Sequence, residues 1–173
     1  MKIKNNFCLL LIVVSSSVLL GNFKTGYIDS NEIMSKLEEV RQVQVELEKE
    51  QRRLQSEAQN LYMEMDSLYK VFESTQLLMS DMKKQEIQQQ LTQKQQNLER
   101  FQMEKFGQGG ELERLQIQLL KPVLDKIDRA IQKVGNEEGY DYIFDAVAGA
   151  IVFALESHNV TDKVLDELQN ESD

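Results

Sequence analysis

The 173-residue sequence has no tryptophan and only one proline, one cysteine and one histidine. Cys8 lies in an apolar N-terminal run, so a chain cleaved after that run would contain no disulfide bond. The lone His158 then has no second histidine or cysteine with which to form a metal site or a Cys–His catalytic pair. We therefore expect no enzyme activity, no cofactor and no bound metal.

An excess of basic residues is also missing. The chain has 20 lysine and arginine residues against 29 aspartate and glutamate residues, which gives a formal net charge of −9. A protein of this charge repels phosphate backbones and anionic lipid headgroups. We therefore expect neither nucleic acid nor a generic anionic membrane as a partner.

The first residues are typical of an export signal. Lys2 and Lys4 precede an apolar run from Phe7 to Leu20 that only three serines interrupt. This run is shorter than the roughly 20 residues that a membrane-spanning helix requires. We interpret residues 1–21 as a secretory signal peptide, with an uncleaved anchor as the alternative. The mature chain would be residues 22–173, a single domain without stable membrane insertion.

A long helix is predicted after residue 30. No proline occurs between Ser30 and Lys121, and glycine occurs there only at positions 107, 109 and 110. Apolar residues alternate in steps of four and three, with Gln44 and Gln51 as the only breaks, which is the pattern of a coiled coil. Asp29 and Glu32 fit a capping box at its start. The apolar seam consists of Ile33, Leu37, Val40, Leu47, Leu54, Ala58, Leu61, Met65, Leu68 and Phe72.

The seam is interrupted at "ESTQLLMSDM" and resumes from Ile87 to Leu119. Ser80 or Asp81 is suited to cap a second helix. This pattern predicts an antiparallel helical hairpin, and the alternative is one continuous rod that pairs with another chain. The three glycines would form either a hinge or a tolerated local irregularity, and Pro122 predicts a kink.

The predicted hairpin turn carries four apolar residues that have little to pack against. An exposed methionine-rich patch suits adaptable binding of varied surfaces, whereas a small plug that closes the turn is the alternative. The candidate binding residues are Leu77, Leu78, Met79 and Met82.

The C-terminal part combines short strands with a short helix. The stretch from Tyr140 to Ala154 is rich in β-formers on either side of Gly149, which predicts a β-hairpin. Tyr27 and Ile28 predict one more strand, and Thr161 is suited to cap a final helix. About three strands make a poor independent core, so we expect several chains to share one sheet.

Several motifs together resemble the Skp (OmpH-like) periplasmic chaperone family. They are "GYIDSNEIM", the two coiled-coil helices, "LLKPVLDKIDRAIQKVGNEEGYDYIFDA" and "NVTDKVLDEL", and they cover essentially the whole mature chain. The resemblance implies a mostly α, α+β fold in which a long helical hairpin projects from a small β body shared in a homotrimeric barrel. It also implies a periplasmic protein that binds unfolded outer-membrane β-barrel proteins without ATP and prevents their aggregation.

Carried onto this chain, the resemblance implies a body of about residues 22–32 and 120–173 and an arm of about residues 33–119. The acidic charge departs from family members that have basic arms, so their attraction of acidic clients or lipid is not carried over to this chain. The competing interpretation is a structural coiled-coil or adaptor protein of the cell envelope. The residues expected in the trimeric body are Tyr27, Ile28, Tyr142, Ile143, Phe144, Ile151 and Phe153.

Overall fold

The computed structural model describes residues 23–170. The predicted signal peptide, residues 1–21, lies outside the described residues. The helices and strands follow in the order β1 (Thr25–Ile28), α1 (Ser30–Lys36), α2 (Glu38–Thr75), α3 (Asp81–Phe106), α4 (Glu111–Glu138), β2 (Tyr142–Asp145) and α5 (Thr161–Asn170).

Helices α2, α3 and α4 form the predicted antiparallel hairpin. Glu64 pairs with Lys94, Arg53 with Glu111 and Glu39 with Lys126. The residue numbers on α2, the outgoing helix, therefore decrease as those on the returning helices α3 and α4 increase. All ten apolar seam residues of the outgoing helix are buried or half-buried. Gln44 is exposed, and the neighbouring Val43 is buried in its place. The hairpin is confirmed, and the continuous rod is excluded.

The outgoing helix is interrupted near its start, which the seam pattern does not predict. Leu37 leaves the helical region, with φ −84° and ψ 125°, and separates α1 from α2. Its side chain is buried in the core of the C-terminal part. The Asp29 cap is confirmed, since its Oδ1 accepts a hydrogen bond from the N–H of Glu32 at 2.9 Å. The second half of the capping box is wrong, because the N–H of Asp29 donates to the Thr161 hydroxyl and not to Glu32.

The returning helix ends at the three glycines. Helix α3 stops at Phe106 and α4 begins at Glu111, so these glycines divide two helices, and the interpretation as an irregularity within one helix is wrong. Helix α4 then continues through Pro122 to Glu138. Gly139 ends it with a positive φ of 69°, a conformation that glycine adopts without steric cost.

The sheet is smaller than predicted and its strands are parallel. Residues Thr25 to Ile28 of β1 pair in register with Tyr142 to Asp145 of β2. The predicted β-hairpin around Gly149 is wrong, because β2 ends in a short 3-10 helix, Ala146–Ala148. The Asp145 side chain stabilises that turn by accepting a hydrogen bond from the N–H of Val147 at 3.0 Å. Ile151 and Phe153 consequently lie outside any strand of this chain.

Helices build most of the core within one chain. Helices α1, α2, α4 and α5 surround the inner face of the two strands, and Tyr140 and Ile143 pack against the cluster from the sheet side. The buried residues are Ile28, Ile33, Leu37, Val40, Val43, Val123, Ile127, Ala130, Val134, Val160, Val164, Leu165 and Leu168. We call the part with this core, up to residue 43 and from residue 120 onward, the body, and residues 44–119 the arm.

Thr161 connects the start of α5 to the residue that precedes α1. Its hydroxyl accepts a hydrogen bond from the N–H of Asp29 at 2.9 Å and donates one to Asn159 Oδ1 at 2.6 Å. Asn159 Oδ1 also accepts from the N–H of Thr161 at 3.0 Å. The prediction that the Thr161 hydroxyl caps α5 is therefore wrong, because this hydroxyl accepts its hydrogen bond from Asp29, which precedes α1. The fold is α+β and mostly α, as predicted.

Candidate functional site

The tip of the arm presents apolar side chains to solvent. Leu77, Leu78 and Met82 are 93%, 89% and 81% exposed, whereas Met79 is half-buried. A plug that closes the turn would bury its leucines, and these two are uncovered by the rest of the described chain. The tip residues are thus accessible, and their role in binding stays a prediction.

Short polar side chains fix the turn that displays them. The hydroxyl of Ser74 donates to the carbonyl of Val71 at 3.0 Å near the end of α2. Ser80 caps α3 as predicted, since its Oγ accepts from the N–H of Lys83 at 3.3 Å. These contacts end one helix and start the next within a few residues. The apolar residues between them are left without a neighbouring helix to cover them.

The lysines near the tip do not form a free basic patch. Lys83 pairs with Glu86 at 2.8 Å, Lys84 with Asp81 at 3.7 Å, and Lys94 with Glu64 at 2.8 Å across the hairpin. Exposed pairs of this kind contribute about 0–1 kcal/mol each. They mainly neutralise the local charge, so the arm offers little attraction to an anionic partner.

A network of ion pairs surrounds the glycine segment. Arg53 on α2 reaches Glu50 at 2.6 Å, Glu57 at 3.0 Å and Glu111 at 3.4 Å, and Glu111 also pairs with Lys105. The hydrogen bond to Glu50 raises the pKa of Arg53 and lowers that of Glu50. The network therefore holds the start of α4 against α2 at the point where the returning chain has no helix.

Gly107→Ala is expected to destabilise the arm. A Cβ at position 107 would overlap the backbone oxygen of Met103. A backbone atom cannot move aside as the end of a flexible side chain can. Overpacking of this kind costs about 1–3 kcal/mol. Thermal unfolding followed by far-UV circular dichroism should show a lower midpoint. Gln108→Ala, at an exposed neighbouring position, is the control. An unchanged or higher midpoint for Gly107→Ala would contradict the break between α3 and α4 at the glycines.

Aromatic residues form a ladder on the outer face of the body. Along β2, Tyr142 and Phe144 point outward while Ile143 and Asp145 are half-buried. The rings of Tyr142 and Phe144 stack at 6.1 Å, and Phe23 extends the ladder 6.5 Å from Tyr142. Ring pairs at these separations attract each other beyond the area they bury. This face is therefore a candidate contact surface.

The remaining candidate body residues divide between core and surface. Ile28 is buried in the core of its own chain, Ile143 packs against that core, and Tyr27 is half-buried. After the 3-10 turn, Ile151 is half-buried and Phe153 is exposed. Ile28 and Ile143 thus support the body from within, whereas the side chains free to meet another chain are Tyr142, Phe144 and Phe153.

Two carboxylates beside and within β2 have structural partners. Asp141 Oδ2 accepts from the N–H of Lys24 at 2.8 Å, and Asp145 Oδ1 accepts from the N–H groups of Ser30 and Val147. Burial alone would raise the pKa of Asp145, but these hydrogen bonds outweigh burial and lower it. Within residues 23–170 no group of three or more His, Cys, Asp or Glu residues could hold a metal ion. No helix in the same range is long and apolar enough to cross a membrane.

A set of half-exposed aromatic residues on the arm lies outside the predicted apolar seam. Tyr62, Tyr69 and Phe106 are each between a third and just over half exposed. The two tyrosines are seven residues apart and directly follow the seam residues Leu61 and Leu68. That repeated position beside the seam is the signal in the sequence that predicts a shared helix face.

Comparisons with known proteins agree with the fold. The chain superposes with a TM-score of 0.73 on a crystal structure from Caulobacter crescentus CB15, described as an outer membrane chaperone (OmpH-like). The identity is 16%, and the match covers 86% of this chain and 85% of the other. No curated protein matches the sequence. The family described as "Outer membrane protein (OmpH-like)" matches residues 24–168. The chain therefore belongs to the OmpH-like outer membrane protein family.

Proposed function

We propose that this protein is an ATP-independent holdase chaperone of the periplasm. It binds unfolded outer-membrane β-barrel proteins between helical arms and prevents their aggregation. Membership of the OmpH-like family supports this proposal, as does the description of the similar Caulobacter crescentus protein as an outer membrane chaperone. The predicted signal peptide would direct the chain to the periplasm.

The exposed tip is the observation that carries the proposal. Leu77, Leu78 and Met82 project from the end of a long polar hairpin, where nothing in residues 23–170 covers them. Apolar side chains that stay in water are costly unless they meet a partner. Leucine and methionine also adapt to many surfaces, which suits clients without a fixed structure.

Release without ATP requires that each contact be weak. The exposed apolar residues of the arm are separated by charged and glutamine-rich stretches, so no single site binds a large part of a client. Many weak contacts in a confined volume retain a client through effective concentration, and they let it go one contact at a time. Several arms are needed to enclose such a volume, so the function requires an assembly.

The body supports assembly into a homotrimer. Strand β1 is paired with β2 on one side and bridges to Asn159 on the other, whereas the outer edge of β2 has no strand beside it within residues 23–170. An unpaired strand edge is a template for pairing with another chain. The segment of residues 151–155, which belongs to no helix or strand and exposes Phe153, is suited to fill that edge in a second copy. The number three comes from the family resemblance.

An aggregation assay tests the proposed function. A urea-denatured outer-membrane β-barrel protein is diluted into buffer without nucleotide, and light scattering is followed with and without the mature chain. We expect scattering to be suppressed at a ratio near three chains per client. A structural or adaptor coiled coil would leave scattering unchanged, and that result would contradict the chaperone assignment.

A further inference from the structure

The groove between α2 and α3 has a different lining on each side of the arm. On one side of the α2 seam, the ion pair between Glu64 and Lys94 bridges the two helices. On the other side, two adjacent concavities that share Tyr62 run along the groove between α2 and α3. Asp66 is the only ionisable acidic or basic residue in their lining, and it pairs with Lys70 of its own helix at 2.6 Å.

The side with the two concavities contains aromatic and apolar residues at regular intervals. The half-exposed rings come from both helices and flank half-buried seam residues between them. Phe106 is held in place by an edge-on contact with the half-buried Phe101, at 6.5 Å between ring centroids. We call this set the aromatic strip. It consists of Tyr62, Met65, Tyr69, Leu91, Leu98 and Phe106.

Glutamines border the aromatic strip on both helices. Each carboxamide carries two donors and an acceptor, and each tyrosine hydroxyl can donate and accept. These are the groups that match the N–H and C=O groups of an extended polypeptide backbone, whatever its sequence. The bordering residues are Gln55, Gln59, Gln88, Gln95 and Gln102.

The length of the strip corresponds to a short extended peptide. From Gln55 to Tyr69 the helix rises about 21 Å, at about 1.5 Å per residue. An extended chain rises about 3.3 Å per residue, so about six residues of a client would lie along it. Six residues are part of one transmembrane β-strand, which has about 9–11 residues.

We propose that the aromatic strip binds extended, uncharged client segments in which apolar and polar residues alternate. The rings of Tyr62, Tyr69 and Phe106 contact the apolar side chains on one face of the segment, and the glutamines hydrogen-bond its backbone. This proposal rests on the proposed chaperone function and names the client segment as the membrane-spanning part of a β-barrel strand, where such alternation occurs. The six residues of the strip are uncharged although the chain as a whole is acidic, and an uncharged client segment matches them in this respect.

Two triple variants, each of which replaces three exposed large side chains of the arm by serine, test the strip. The first is Tyr62→Ser with Tyr69→Ser and Phe106→Ser. The control is Met63→Ser with Val71→Ser and Met103→Ser, which removes three other exposed apolar side chains of the arm that do not line the strip. The probe is a fluorescent peptide of about ten residues with alternating aromatic and uncharged polar residues. Fluorescence anisotropy measures its Kd, and circular dichroism checks that both variants keep their helices.

The strip variant is expected to raise the Kd at least about tenfold, whereas the control stays within about twofold of wild type. The Kd of wild type should change less than about twofold between roughly 0.05 and 0.5 M salt, because the peptide is uncharged and the one charged residue in the lining, Asp66, is paired with Lys70. Equal effects of the two triple variants, strong salt dependence or failure of wild type to bind the peptide would each overturn the proposal.

The outcomes separate this proposal from the chaperone function itself. If wild type suppresses client aggregation and both triple variants do so equally, the strip proposal fails and the chaperone function stands. If wild type does not suppress aggregation, the chaperone function fails. If the strip variant changes the oligomeric mass, the strip is a contact between copies of this chain and the client proposal is wrong.

Discussion

Phe144→Asp is expected to reduce the proposed assembly of three chains to single chains. Phe144 points outward from β2, at the strand edge with no neighbour in the described chain, and stacks on Tyr142 at 6.1 Å. A carboxylate placed in a contact between chains would lose its hydration without gaining a partner, which costs several kcal/mol. Light scattering after size-exclusion chromatography should give the mass of one chain. Circular dichroism should still report the helical hairpin.

Leu78→Asp is the matched control for this variant. It introduces the same charge in place of another apolar residue, at a tip position that is already exposed to water. We expect it to keep the mass of three chains. If Phe144→Asp also keeps that mass, the outer face of β2 is not part of the interface. A wild-type chain that runs as a stable monomer would contradict the shared body altogether.

Leu168→Ala is expected to destabilise the body strongly. Leu168 on α5 is 1% exposed and belongs to the buried cluster that joins four helices to the two strands. Truncating a buried leucine to alanine costs about 2–5 kcal/mol, a large part of the roughly 5–15 kcal/mol that holds a domain folded. The thermal midpoint should fall by roughly 5–15 °C. Calorimetry at a fixed protein concentration measures it, since the proposed assembly would make the midpoint concentration-dependent.

Leu78→Ala gives the comparison for this loss. The same chemical change at a fully accessible position should alter the free energy of unfolding by less than about 0.5 kcal/mol. A similar, small effect for both variants would show that the helical core of the body contributes little within one chain. Stability would then come almost entirely from contacts between chains.

The arm could be predicted well from the sequence because its order is local. Heptad spacing places residues such as Leu54 and Ile87 at the buried interface, and both are buried. The same spacing placed Gln44 at the interface, and the buried residue is Val43. The break between α1 and α2 at Leu37 is likewise absent from the periodic pattern, because apolar spacing alone does not include it.

The body was predicted less well because its contacts are distant in the sequence. The stretch around Gly149 has the composition of a hairpin, but β2 pairs with β1, which lies more than a hundred residues earlier. Thr161 has the character of a helix cap, but its hydroxyl is engaged by Asp29 from the other end of the chain. Local propensity carries no information on partners that the rest of the fold brings into place.

The candidate site was predicted in part. The turn sequence identified the apolar tip, because polar residues that end helices stand on both sides of Leu77 and Leu78. The aromatic strip was missed, since Tyr62 and Tyr69 lie beside the seam and Phe106 comes from the other helix. These three residues come from two helices, so their common surface can be recognised only once the register of the hairpin is known.

The mass of the complex with a client tests the central claim most directly. The mature chain is mixed with an unfolded outer-membrane β-barrel protein, and the complex is measured by native mass spectrometry. The chaperone proposal predicts three chains with one client, formed without nucleotide. A client that passes through unbound, or a complex that contains a single chain, would contradict it.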